Sequence, residues 1–472
     1  MKNLPILLFI FILLFNCLES NSDNSFKIAL ASDMATLDPV LAIDSSSKKI
    51  HPLLFKKLFT FKNSKLENDL VKKYRIENEN LYLELNDSSL SAKDVKFSLD
   101  RVRKATGPRN SLYKDILDIK IISNNSLVLK VKNLNEKYLE LFSLVNSEIY
   151  SKDEFDKNNQ FVSDGNYKIL EWSKNDFIQL ELKSYNTNYP SKLKFQILPQ
   201  PSSAIYLYKK GLLDLIKIPY FLINESLLKN SKVLSKKGLS LQYIAINHKN
   251  DCFDLPFRKA LNLSIHREEL IQKIFSNFAT HINTSIPDIF LEKYTEDKFR
   301  INYDLNLAKE ELKNSKCYPE ILKTNLDFRM RADDENKSKS LVLAHYFKQL
   351  GLKIQIHPME KTKLYKENHS GKGDLTLLTW YIDQESIENF IDPLFASDRF
   401  GNGGNRSFYK NSQIQLEIEE FRKNKIKKES LKNIIQILLK EQPIVFLWSV
   451  DEVYLLSQRM SIYNSLVEEL IQ

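Results

Sequence analysis

From Phe26 to Leu30 the chain alternates apolar and polar side chains (FKIAL), the period of two that marks a half-buried strand. Residues 81–85 (LYLEL) repeat the pattern. Ser91 with Asp94 three positions on is an acidic variant of the capping box. Val95, Leu99 and Val102 then recur at helical spacing, which predicts a helix that Gly107-Pro108 ends. Strands are expected at 126–131, 167–172, 177–183 and 194–198, and a helix at 202–210 that stops at Gly211. Beyond residue 240 the texture stays mixed. A strand is expected at 241–246, Phe257, Leu261 and Ile265 share one helical face, and a second helix starts at Arg267. A helix at 341–350 meets Gly351, and a strand at 353–357 follows. Such alternation predicts the α/β class.

The 472 residues exceed what one core accommodates, so two or three domains are expected. Only 10 glycines and 14 prolines occur, with no low-complexity linker or internal repeat, so short crossings must join the domains. The amino terminus is patterned differently. Lys2 precedes an apolar run from Leu4 to Phe15, and Cys17 closes it. A run of about 12 is too short to span a bilayer and suits a signal-peptide core. Leu14-Phe15-Asn16-Cys17 looks like a bacterial lipobox, although Phe15 and Asn16 stand where small residues are usual. The alternative is an ordinary signal peptide that contains a cysteine. A polar stretch from Glu19 to Ser25 follows, as a tether would. We therefore expect residues 1–17 to be a lipoprotein signal peptide with Cys17 as the lipid attachment point, 18–25 to be a tether, and no further membrane span.

Composition narrows the function classes. At 43% hydrophobic residues the chain builds cores and is not disordered. The excess of 69 Lys+Arg over 60 Asp+Glu is spread along the chain. Its densest run, Arg422 to Lys432, reads as a solvated helix face and not as a nucleic-acid patch. Cys252 and Cys317 either pair in an oxidising compartment or remain two buried thiols. The sequence holds no G-x-S-x-G, H-E-x-x-H, G-x-x-x-x-G-K-[ST] or G-x-G-x-x-G. Gly401 to Gly404 opens no phosphate-binding helix, no two histidines stand four apart, and Glu268-Glu269 and Glu310-Glu311 suit helix capping and solvation. No catalytic residue, metal site or cofactor is expected, and the chain does not read as an enzyme.

A series of short blocks, in order, resembles one family: the extracellular solute-binding proteins of peptide and nickel ABC importers (family 5). The blocks are Thr36-Leu37-Asp38-Pro39, Phe55 to Phe59, Leu90 to Ser98, Asp164 to Ile169 with Trp172, and Tyr185 to Tyr189. They continue with Gly211 to Asp214, Phe257 to Leu261 with Ser264 to Arg267, and Tyr303-Asp304 with Tyr318-Pro319. Trp380, Asp383, Phe390 and Asp392 to Phe395 come next, and Pro443 to Leu447 closes the series. The chain departs from the pattern in a short connection between Leu85 and Leu90, in Asn166, in Gln384-Glu385, and in His266 where an aspartate is usual.

The resemblance implies a two-lobed, hinge-closing periplasmic-binding-protein fold (type II) with an extra small domain. It places lobe I at 26–47, 160–245 and 442–472, small domain II at 48–159, and lobe II at 246–441. It implies a monomer held at the cell envelope by its lipid, in the periplasm, which captures short peptides in the interlobe cleft and delivers them to ABC permease subunits. By position Asp383 would pair with a peptide's terminal ammonium, or else cap a helix toward Phe390. Trp380 would wall the cleft or sit in the core, and Arg406 would grip a ligand carboxylate or be a solvated loop arginine. Two other readings stand beside this one: the same fold taking a nickel chelate, haem or sugar, and a structural or adhesive envelope lipoprotein with a vestigial cleft.

Overall fold

The structure, a computed structural model, describes residues 25–471 apart from 63–64, 105–108, 133, 135, 230, 292–300, 382–386 and 424–426. Cys17, residues 18–24, Gly107-Pro108 and Asp383 lie outside the described residues. The chain forms two compact units, residues 1–217 with 454–472, and residues 218–453. Segments 218–245 and 442–453, which the resemblance groups with the first lobe, belong to the second unit. Both units mix helices with sheets, as the alternating pattern predicts.

In the first unit the predicted strand Phe26–Leu30 lies parallel to Lys192–Ile197, which pairs antiparallel with Phe177–Leu182 and through it with Tyr167–Ser173. Asp214, in one of the family-like blocks, accepts from the Lys27 amide at 2.9 Å, the Ser457 hydroxyl at 2.7 Å and the Arg459 guanidinium at 2.6 Å. One carboxylate thereby ties the C-terminal segment to the first strand. A second, four-stranded antiparallel sheet runs in the order Val71–Glu77, Asn80–Leu85, Ser126–Val131, Ile116–Ser123. Its inward row of Leu81, Leu83, Leu127 and Leu129 packs with Val95, Leu99 and Val102 of the helix Ala92–Lys104. The capping box forms: Asp94 accepts from the Ser91 amide and hydroxyl at 2.8 and 2.7 Å. Its other oxygen accepts from the Lys152 amide, which joins this helix to Lys152–Asn158.

The second unit centres on one six-stranded sheet, ordered Ala279–His281, Ile444–Val450, Ser240–Ile246, Leu375–Tyr381, Asn325–Arg331, Lys353–Met359. Its middle strands are buried on both faces, so they read as continuous apolar runs. Leu241, Tyr243 and Ala245 enter one core, and Ile244 and Ile246 the other. The helix Asp334–Gln349 crosses between two parallel strands and ends before Gly351, whose φ of +88° suits a residue without a Cβ. His266 does cap its helix, accepting from the Glu269 amide at 3.2 Å. Cys252 and Cys317 are bonded, with Cα atoms 5.3 Å apart, which decides between the two readings left by the sequence.

The C-terminal helix Asn464–Ile471 carries Glu469, which accepts from the Tyr189 hydroxyl at 3.3 Å. Burial pushes this carboxyl up to about 7 from an ordinary 4.5, against the pull of Lys56 and Lys57. The folded state therefore holds the proton more tightly than the unfolded chain. The carboxyl's contribution to stability is complete below 4.5 and gone above about 7. Burial also pushes His248 down to about 4, which changes stability in the opposite direction over much of the same interval. The difference between two proteins therefore isolates the carboxyl. Glu469→Gln keeps the acceptor and cannot ionise. Its melting temperature relative to the parent should rise by about 2 °C or more between about pH 5 and about pH 8. A difference that does not change with pH contradicts a buried, proton-holding Glu469.

Candidate functional site

Two of the three ligand residues expected from sequence lie among the described residues, and both are in the second unit. Trp380 is the penultimate residue of the strand Leu375–Tyr381 and pairs across from Leu241. Its ring packs, partly buried, on the apolar cluster around Phe390. Its indole N–H donates to the Asn389 carbonyl at 2.8 Å. Asn389 belongs to the turn Ile387–Phe390, so this bond spans the segment 382–386 from one end to the other. Trp380 thus packs on this core and bonds to the turn Ile387–Phe390.

Arg406 sits on a loop whose backbone is held from several sides. The Asn405 side chain, fully buried, donates to the Ala396 and Tyr409 carbonyls at 3.1 and 2.9 Å and accepts from the Tyr409 amide at 3.2 Å. The His248 amide donates to the Ser407 carbonyl at 2.9 Å. The Asn368 side chain donates to the Arg406 carbonyl at 3.3 Å. Gly404, at φ +120°, comes so close to Pro393 that a Cβ there would fall 2.6 Å from its carbonyl oxygen. The loop is therefore a rigid mount and not the solvated stretch that its glycines suggest.

The guanidinium lies 5.1 Å from the centre of the Tyr365 ring. It is half-buried, its Nη1 is shielded from solvent without a hydrogen-bond partner, and it makes no ion pair among the described residues. Burial lowers its proton affinity, and the phenols of Tyr243 and Tyr365 only partly offset this. Its charge in turn adds to the burial that pushes His369 down, and the His369 Nε2 is likewise shielded and unpartnered. Tyr365 and Trp380 pack at the margin of the same core. Sequence reasoning missed Tyr243, Tyr365 and His369. Tyr243 is hidden in an apolar strand, and the other two lie on the polar helix Lys361–His369, with no spacing that sets them apart.

The blocks that carry the resemblance do mostly structural work. Asp38 receives the Arg101 guanidinium through two bonds of 2.5 Å, and the Trp172 indole donates to Asp33 at 3.1 Å. Arg267 is fully buried, donating to the Phe446 and Asn262 carbonyls at 2.7 and 2.8 Å. The profile of the bacterial extracellular solute-binding proteins, family 5 (middle region), matches residues 86–402. The chain belongs to this family. The glutathione-binding protein GsiB of Salmonella choleraesuis is 23% identical over 459 residues, covering 88% of this chain and 87% of that protein. Heme-binding protein A of Haemophilus influenzae is 22% identical over 453 residues, covering 85% and 82%. Among solved structures, the periplasmic binding protein DppA from Helicobacter pylori, in complex with the peptide STSA, superposes with a TM-score of 0.70. It is 21% identical, covering 92% of this chain and 94% of that one. The fold is thus that of two-lobed periplasmic binding proteins. As a family 5 member the chain is a solute-binding protein. No helix among its described residues is long and apolar enough to cross a membrane.

In this family 5 protein Arg406 is a desolvated cation that lacks a counter-charge among the described residues. Such a group lowers the stability of the unliganded fold. Arg406→Met keeps the stem and removes the charge. The unliganded variant should gain about 1 kcal/mol in urea denaturation. A loss of similar size would mean that the guanidinium has an internal partner.

Proposed function

We propose that this chain is the substrate-binding component of an ABC importer, capturing short peptides and passing them to permease subunits. Arg406 carries the reading. A guanidinium on a rigid mount, half-buried and without an ion pair among the described residues, suits an incoming carboxylate, which it can grip through two hydrogen bonds. Asp383 takes the ligand's ammonium at the other end, on the segment that the Trp380–Asn389 bond spans. A zwitterionic peptide supplies both charges. The GsiB likeness supports a peptide-sized ligand, since the ligand in that protein's name, glutathione, is itself a short peptide. We further propose that the protein is a monomer tethered in the periplasm through lipid on Cys17. The disulfide between Cys252 and Cys317 fits that oxidising compartment.

The heme-binding relative supports a second reading, in which the same fold takes haem. Native mass spectrometry of the protein purified without denaturation separates the two. A heterogeneous adduct that releases short peptides is expected, and a single defined mass would favour haem. Asp383→Asn should then weaken binding of a tripeptide with a free amino terminus by about 2–5 kcal/mol and leave its N-acetylated form unaffected. Equal affinity of parent and variant for the free peptide would remove Asp383 from the site.

A further inference from the structure

The small four-stranded sheet of the first unit has two edges, and they are protected differently. The strand Val71–Glu77 exposes Lys72, Lys73 and Arg75, charges that discourage pairing and apolar contact. The opposite edge, Ile116–Ser123, exposes Leu117 (49%), Ile121 (41%) and Ile122 (60%). Ile121 is the unexpected one. Ile116, Ile119 and Ile121 face the fully buried Val131, Leu129 and Leu127 across the ladder, so all three belong to the inward row. Ile116 and Ile119 are only 2% exposed, whereas Ile121 opens into a cavity of about 650 Å³ beside the helix Ala92–Lys104.

The cavity pairs an apolar wall with a cationic rim. Phe97 lines it together with Ile121, its ring packed by Phe155 at 5.4 Å and Tyr150 at 5.8 Å. Positions 93, 96, 97, 100, 101 and 104 form one stripe of the helix, and this stripe lines the cavity. Some of its charges are balanced one to one. Arg101 is held by both oxygens of Asp38, Lys93 by Asp153 at 2.7 Å, and Lys152 by Asp156. Asp100, by contrast, serves three cations, with Lys96 at 3.0 Å, Arg103 at 2.7 Å and Lys104 at 4.0 Å. Positive charge is therefore in surplus along Lys96–Lys104, next to Phe97 and Ile121.

We propose that this cavity is a second binding site, separate from that of Arg406, for an amphipathic anion: an acyl or aryl group ending in a carboxylate or phosphate. The apolar group lies on Phe97 and Ile121. The head group meets Lys96 and Lys104, which share one partly exposed carboxylate and can turn from it because ion pairs near the surface contribute little. A free fatty acid and a lipid at a bilayer surface share this chemistry, and the test separates them.

Decanoate below its micelle range is titrated calorimetrically into the intact protein, with octyl glucoside as the uncharged amphiphile. Saturable binding of one decanoate per chain is expected, with none of octyl glucoside. The double variant K96E/K104E and the single variant Ile121→Ser should each weaken decanoate binding by about ten-fold or more, while Arg406→Met leaves it unchanged. Melting curves of both variants establish that they fold, and Ile121→Ser tests the wall without altering charge. Absence of saturable decanoate binding, or parent affinity in both variants, overturns the proposal. In the second arm, phosphatidylglycerol–phosphatidylcholine vesicles are floated with the protein. Flotation of the protein lacking residues 1–17 that K96E/K104E abolishes, with no decanoate binding, would make this face a bilayer contact and overturn the cavity site.

Discussion

A guanidinium taken out of water costs several kcal/mol unless acceptors meet its N–H groups. The second unit is organised around that constraint. Arg267 is fully buried, and Phe446, Asn262 and Ile265 supply carbonyl acceptors while the Asn262 side chain supplies another. Arg258 donates to the Glu441 carbonyl at 2.9 Å and to that of Phe253 at 2.9 Å. The helices Leu255–Leu263 and Arg267–Phe275, which carry these two arginines, thereby hold the strand Ile444–Val450, which must enter the middle of the sheet late in the chain. Asn262 completes the junction by donating to the Ile444 carbonyl at 3.0 Å and accepting from the Phe446 amide. Satisfied cations make this return strand part of a fixed scaffold. Arg406 is the contrast. It is half-buried on an equally fixed mount, yet one of its nitrogens is shielded and unpartnered.

That contrast links fold to function. A scaffold arginine meets all its needs within the chain, and mutating it damages folding. An arginine whose needs are unmet lowers stability until something outside the described residues completes it. Trp380 meets its own need within the chain, its indole N–H donating to the Asn389 carbonyl. The first unit uses a carboxylate in place of a guanidinium, with Asp214 collecting the first strand and the C-terminal segment.

Much of this was legible in the sequence where local physics decides. The alternation at 26–30 and 126–131 gave strands at those positions, and Ser91 with Asp94 gave a helix start whose capping bonds form. Elements set by distant partners were harder to read. The pattern placed a helix at 341–350, but the helix begins at Asp334, because the polar Asp333 cap and its solvated first turns carry no apolar period. Whether the cysteines pair depends on a 5.3 Å approach across 65 residues, which no local pattern encodes. The candidate site was half legible. Order of motifs pointed to Trp380 and Asp383, and Arg406 stood out only by following a glycine-rich loop; its glycines suggested a solvated loop, and only the bonds of Asn405 show it to be rigid. The cavity beside Ile121 was invisible, since its walls come from three separate segments.

The central claim is that a ligand carboxylate completes the charge of Arg406. Isothermal titration of one tripeptide with a free carboxyl terminus against the same tripeptide as its amide tests this most directly. The account predicts that the amide binds more weakly by about 2–5 kcal/mol, and that Arg406→Met abolishes this difference. Equal affinity for the two peptides, or a difference that persists in Arg406→Met, would contradict it.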